Sequence, residues 1–193
     1  MTAVAQAGAV REAPVPEGWV AGSWTIDPAH SVVSFAVRHL MSRVRGTFSD
    51  VSGHIVTTSD PAESAAAAVI AVTSVCTGSQ MRDEHLRSPD FFDAQRHPQM
   101  RFASQALHPA DDGWVLSGEL TIREITRPVD LKVDFLGTDP DGLQGEPRVG
   151  FTARGAISRR DFGVSFGLAA DGGKVVVADK VDIVLDIEAF LDA

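Results

Sequence analysis

From Trp24 onward the chain alternates apolar and polar residues with a period of two, the pattern of strands that bury one face. Val33, Phe35 and Val37 alternate with Ser34, Ala36 and Arg38. Phe48, Val51 and Ile55 fall in the next run, where Gly53 predicts a bulge or a barrel bend. Residues 68–77 are apolar and β-branched, and Met100, Phe102, Ser104 and Ala106 share one face of a further strand. The same spacing links Trp114, Leu116, Gly118, Leu120 and Ile122, then Val129, Leu131, Val133 and Phe135. Val149, Phe151, Ala153, Gly155 and Ile157 follow, and Val181, Ile183, Leu185 and Ile187 end the series. Turn signals separate these runs at 59–61 (Ser-Asp-Pro), 111–113 (Asp-Asp-Gly) and 141–142 (Asp-Gly), and 171–174 (Asp-Gly-Gly-Lys) reads as a hairpin turn. About eight antiparallel strands in this order predict an all-β meander. Closed on itself, it leaves no edge and an interior wide enough for side chains or one slim ligand.

One segment breaks the alternation. Residues 80–94 are charged and predict a short helix with Ser79 as its cap and Asp83 and Glu84 at its positive end. Pro89 ends it, and Asp90-Phe91-Phe92 starts a second turn. Such an insertion covers one end of a barrel.

Composition narrows the function. A chain of 193 residues with 44% hydrophobic content supports one domain. A formal net charge of -9 removes electrostatic support for a nucleic-acid partner. Cys76 is alone, so no intrachain disulfide forms, and within an apolar strand it reads as an inert core thiol. No stretch approaches the roughly 20 apolar residues of a membrane span. The N-terminus lacks a basic segment ahead of an apolar one, so residues 1–22 read as a flexible Ala/Pro-rich lead before a barrel domain at 23–193, and the protein as cytoplasmic.

Four blocks resemble the YceI-like family. They are WTIDPAHS at 24–31 followed by Phe35, Val37 and His39; MRDEHLRSPDFFD at 81–93 with His97-Pro98 and RFAS at 101–104; GELTIR at 118–123 with TRPV at 126–129; and RRDFGV at 159–164. One departure stands after Arg123, where Glu124-Ile125 replaces the family's usual glycine and valine. The resemblance implies a lipocalin-like barrel, about eight-stranded and antiparallel, with a short helical insertion over one end. It also implies a hydrophobic pore that binds, carries or sequesters a polyisoprenoid or isoprenoid quinone type of lipid, with no other cofactor. It admits a homodimer, though no exposed stripe demands one.

Gly118, Ala153 and Gly155 lie on inward faces, where small side chains leave volume for an apolar tail. The ligand-binding set comprises His30, Phe35, Val37, His39, Phe48, Arg82, His85, Arg87, Phe91, Phe92, Phe102, Arg160 and Phe162. Arg87 or His85 meets a head group, or Arg82, Asp83 and Arg87 instead form an ion-pair network with Arg160 and Asp161. His39 is a core histidine or a head-group contact. No histidine pair shows metal-binding spacing, although His30 and His39 could converge across a hairpin. No nucleophile elbow is present. Two rival readings stay open: an enzyme using His39, His85 and Asp83 on a prenyl or fatty substrate, and a binder of small amphiphiles such as fatty amides.

Overall fold

A computed structural model describes residues 15–142, 145–167 and 176–192. The start of the lead (1–14) and the expected turn at 171–174 lie outside the described residues. The strands are β1 (Gly22–Ile26), β2 (Val32–His39), β3 (Ser42–Phe48), β4 (Val51–Thr57), β5 (Ala65–Ala71), β6 (Val75–Cys76), β7 (Gln99–Pro109), β8 (Trp114–Ile122), β9 (Ile125–Asp139), β10 (Arg148–Ser158) and β11 (Val177–Leu191). They form one sheet, and the pairing of β1 with β11 closes it.

The closed barrel has eight staves, because three of them are bent strands counted twice. Both β1 and β2 run antiparallel to β11, with Ile26 opposite Ala189 and Val32 opposite Asp186. β3 and β4 follow the same bent path, Phe48 facing Val33 and Ile55 facing Trp24. β5 and β6 do likewise, Ile70 facing Val51 and Val75 facing Phe48. Each bend is a short break in pairing, which lets a twisted sheet curl shut. Gly53 is not a bulge, since β4 and β5 keep one register past it. It is needed instead for close approach, because a Cβ there would lie 2.1 Å from the Ala67 carbonyl oxygen.

The predicted helix is α1 (Gln80–Arg87), inserted between β6 and β7. Ser79 occupies its N-cap, but the hydroxyl makes no capping bond. The Asp83 carboxylate instead accepts from the Thr77 N–H at 2.8 Å and the Thr77 hydroxyl at 2.6 Å. Ser88 ends the helix before Pro89, whose ring disfavours a helical residue ahead of it. The chain then folds back so that the Phe92 N–H reaches the Leu86 carbonyl at 3.0 Å.

The opposite end is plugged by tryptophans. Trp24 is fully buried and donates to the Thr57 hydroxyl at 2.8 Å. Trp19 packs edge-on against Phe135 at 5.2 Å and donates to the Thr58 carbonyl at 2.8 Å. Trp19 thus closes the floor of the barrel from the stretch that precedes β1.

On the outer wall near that floor, the Arg148 Nη1 donates at 2.6 Å to both Asp27 and Glu188. His30 Nδ1 lies 2.8 Å from the Asp27 carboxylate. Burial of Asp27 raises its pKa, but the hydrogen bonds from His30, Arg148 and the Ala29 N–H outweigh it and hold the carboxyl at about 2. The unfolded carboxyl titrates near 3.8, so the unfolded chain binds more protons between these values. Stability is thus complete above pH 4 and falls by about 1–2 kcal/mol toward pH 2 from this group. Urea unfolding of Asp27→Asn across that window checks it: the variant should lose this part of the acid sensitivity, and an unchanged slope would reject the assignment.

Candidate ligand cavity

The inward faces do not fill the barrel. An upper chamber of about 140 Å³ lies under α1, and a lower one of about 100 Å³ lies above the tryptophan floor. Phe102, Leu131 and Leu185 line both, so the chambers meet at a waist formed by these side chains. Alternation builds the walls: Val33, Phe35 and Val37 of β2, Leu120 and Ile122 of β8, and Ile183 and Leu185 of β11 all face the upper chamber. Leu86 of α1, with Phe91 and Phe92 from the turn after it, forms its roof. The lower chamber is lined by Trp19, Ala66, Ala68, Phe151, Ala153 and Ile187, among others. Such a bore lowers the free energy of an apolar chain by roughly 25 cal/mol for each Å² removed from water.

The upper wall holds one charged residue among the described ones, Arg159. It sits in a 3-10 turn (Arg159–Phe162) after β10 and is buried. Its guanidinium donates to four backbone carbonyls: Ala178 at 2.8 Å, Val164 at 3.0 Å, Phe166 at 2.7 Å and Val177 at 2.8 Å. Desolvation pushes its pKa below the ordinary arginine value, partly offset by the charge of Asp179. The charged end is thereby committed to backbone, and the cavity is apolar in practice.

The structure brings seven of the expected ligand residues to the upper chamber: Phe35, Val37, Phe48, Phe91, Phe92, Phe102 and Phe162. The six polar ones do not line it. His30 lies before β2 and bonds Asp27 on the outer wall, while His39 ends the same strand, so the two cannot converge across a hairpin. His39 follows Val37 on the inward face but stands beyond the lining, paired with Ser42 and Val177. Arg82 is spent on Thr77, at 2.7 Å to its hydroxyl and 2.9 Å to its carbonyl. Arg87 is spent on the carbonyls of Thr73 at 3.1 Å and Val75 at 2.9 Å. These residues stitch the insertion to the strand before it, through Thr77 and backbone rather than through Arg160 and Asp161. Arg160 is exposed and uses its backbone N–H on Asp179 at 3.0 Å. His85 bonds Asp90 at 2.9 Å and lies edge-on to Phe91 and Phe166, at 5.0 and 4.8 Å.

Two further expectations change. Gly118 and Gly155 do not leave free volume, since Cβ atoms there would strike the Phe102 ring at 2.6 Å and the Leu131 side chain at 2.8 Å. They make room for neighbours that form the waist. Cys76 is exposed, because β6 turns it to the outer face beside Thr47. The residue of this pair that reaches the cavity wall is Arg159, not the expected Arg160. The signal was available: Ile157 faces the cavity, and two residues on, parity points Arg159 inward.

Asp27, His30 and Glu188 bring ligand atoms within 4.8 Å of one another, the spacing of a metal site. The Arg148 guanidinium already supplies the cation between the two carboxylates.

Taken together, the closed antiparallel barrel and its roofed apolar bore define a protein of the lipocalin-like, cavity-bearing kind. The YceI-like domain model matches residues 24–189, and the chain belongs to that family. It is 33% identical over 173 residues to Protein YceI of Escherichia coli O17:K52:H18, covering 88% of this chain and 87% of that one. Among solved structures, BcnA of Burkholderia cenocepacia superposes with a TM-score of 0.71 at 27% identity, over 84% of this chain and 98% of that one. A Saccharophagus degradans domain described as polyisoprenoid binding shares the fold at a TM-score of 0.65 and 14% identity, over 88% and 98% of the two chains.

Proposed function

We propose that this protein binds and carries a long-chain apolar lipid of the polyisoprenoid or isoprenoid quinone class, with the tail in the bore and the head at the roofed end. The observation that carries the reading is the two-chamber bore, whose only charged wall residue among those described turns its charge to backbone carbonyls. An elongated tail matches an elongated cavity, because each buried methylene contributes about 0.8 kcal/mol. The polyisoprenoid-binding description of the Saccharophagus degradans domain supports the ligand class. No acid–base pair lines either chamber among the described residues, which favours holding a lipid over transforming it.

Native mass spectrometry of the purified protein tests the reading. A co-purifying species with the mass of a prenyl lipid, or stoichiometric uptake of an added one, is the expected result. A protein that stays empty when offered prenyl lipids would overturn it, and selective uptake of fatty amides would reassign the ligand to small amphiphiles.

A further inference from the structure

Five exposed apolar side chains, Leu40, Met41, Met81, Phe166 and Val176, lie at the roofed end, and Met41 and Met81 are the two most exposed among the described residues. The turn between β2 and β3 is Leu40-Met41, and Met41 is 101% exposed. Leu40 has a φ of 52°, a left-handed conformation that suits glycine or asparagine and is costly for a bulky residue. From this tip an apolar rim can be followed through backbone and ring contacts. The Leu40 N–H donates to the Val176 carbonyl at 2.9 Å, and Val176 in turn bonds Gly167 at 3.2 Å. The neighbouring Phe166 packs 5.1 Å from Phe91, a roof residue of the upper chamber, and 4.8 Å from His85. Met81, 81% exposed, stands one helical turn before His85 on the same side of α1.

Charge beside the tip has the opposite sign to the chain as a whole. Arg38 and Arg43 are cross-strand partners, so two like charges face each other directly, and Arg45 follows on the same exposed face. Arg43 lies 3.4 Å from Asp182, which Lys180 also meets at 3.1 Å. Arg38 and Arg45 have no acidic partner among the described residues. A net charge of -9 would otherwise repel the protein from anionic surfaces, so this collar is local.

We infer that this rim is a docking surface for an anionic lipid bilayer: Leu40 and Met41 enter the head-group layer while Arg38, Arg43 and Arg45 meet lipid phosphates. A protruding, fully exposed tip suits a soft interface better than a flat protein face, which needs contiguous area. Its place beside the roof means that a lipid crossing between bilayer and bore would avoid water. The inference rests on the carrier reading, and the test keeps the two apart.

The full chain is sedimented with vesicles of phosphatidylcholine alone or mixed with phosphatidylglycerol, while native mass spectrometry follows bound lipid in the same preparations. Binding to the phosphatidylglycerol vesicles is expected, falling as salt rises. Met41→Asp should weaken it ~tenfold or more, and Arg38→Glu with Arg43→Glu should abolish the phosphatidylglycerol preference. Leu136→Asp, at a site 66% exposed on β9 toward the other end, should bind as the parent does. No vesicle binding by the parent, or unchanged binding by Met41→Asp, overturns the surface even where lipid is retained. A dimer in analytical ultracentrifugation that Met41→Asp dissolves also overturns it and assigns the rim to a second copy. Vesicle binding by a protein that never holds lipid would sink the carrier reading and leave the surface standing.

Discussion

Arg159→Met is expected to lower the unfolding free energy by about 4 kcal/mol, a large single loss in a domain of this size. The side chain ties the carbonyls of Val164 and Phe166 to those of Val177 and Ala178, so it joins the segment after the 3-10 turn to the start of β11. Removing it orphans four acceptors. A bond to a charged donor is worth roughly 1.5–3 kcal/mol, and the gross loss is reduced because a buried cation no longer has to be desolvated. Arg159→Lys should recover only part of the loss, since an ammonium donates from one point and cannot span four carbonyls as a planar fork does. Denaturant unfolding measures both. A loss below about 1 kcal/mol for the methionine variant would show that water replaces the guanidinium and that the clamp is incidental.

That clamp also shows where sequence reasoning succeeded and where it stopped. The strands were legible because period-2 alternation directly encodes which side chains face a core, and Phe35, Val37 and Phe102 were found that way, whereas Phe162, in a 3-10 turn, came only from the family resemblance. The insertion was legible because its charge and its proline conflict with a strand. Polar roles were not. Arg82 and Arg87 carry the chemistry of anion recognition, yet both are consumed by Thr77 and by the carbonyls of Thr73 and Val75. A sequence states what a donor can bind but not which acceptor folding brings to it first. The three bends were equally hidden, because at each break the inward parity switches, from Ile26 to Val33, from Phe48 to Val51 and from Ile70 to Val75, and only the pairing across the break, such as that of β1 and β2 with the one strand β11, reveals one stave. Volume was the most misleading quantity. Gly118 and Gly155 read as empty space, whereas each is filled by a ring or branched side chain from the adjacent strand.

Where the volume does lie leads to the second large effect. Ala153→Phe is expected to reduce affinity for long prenyl chains more than tenfold while leaving short ones bound. Ala153 is a buried inward residue of β10 that lines the lower chamber and not the upper. A phenyl ring there enters a space of about 100 Å³ and occupies much of it, so a tail can no longer pass the waist of Phe102, Leu131 and Leu185. Excluding two methylenes from burial forfeits about 1.6 kcal/mol, which exceeds a factor of ten in affinity. A short tail held wholly in the upper chamber loses nothing. The contrast in chain length therefore distinguishes a blocked bore from a damaged fold, which would weaken every ligand alike. Titration with prenyl lipids of increasing length, read by displacement of a fluorescent lipid, gives the answer. Equal affinities of the parent and Ala153→Phe for the longest chain would mean that the tail stops above the waist, and that the lower chamber is packing space and not part of the ligand site.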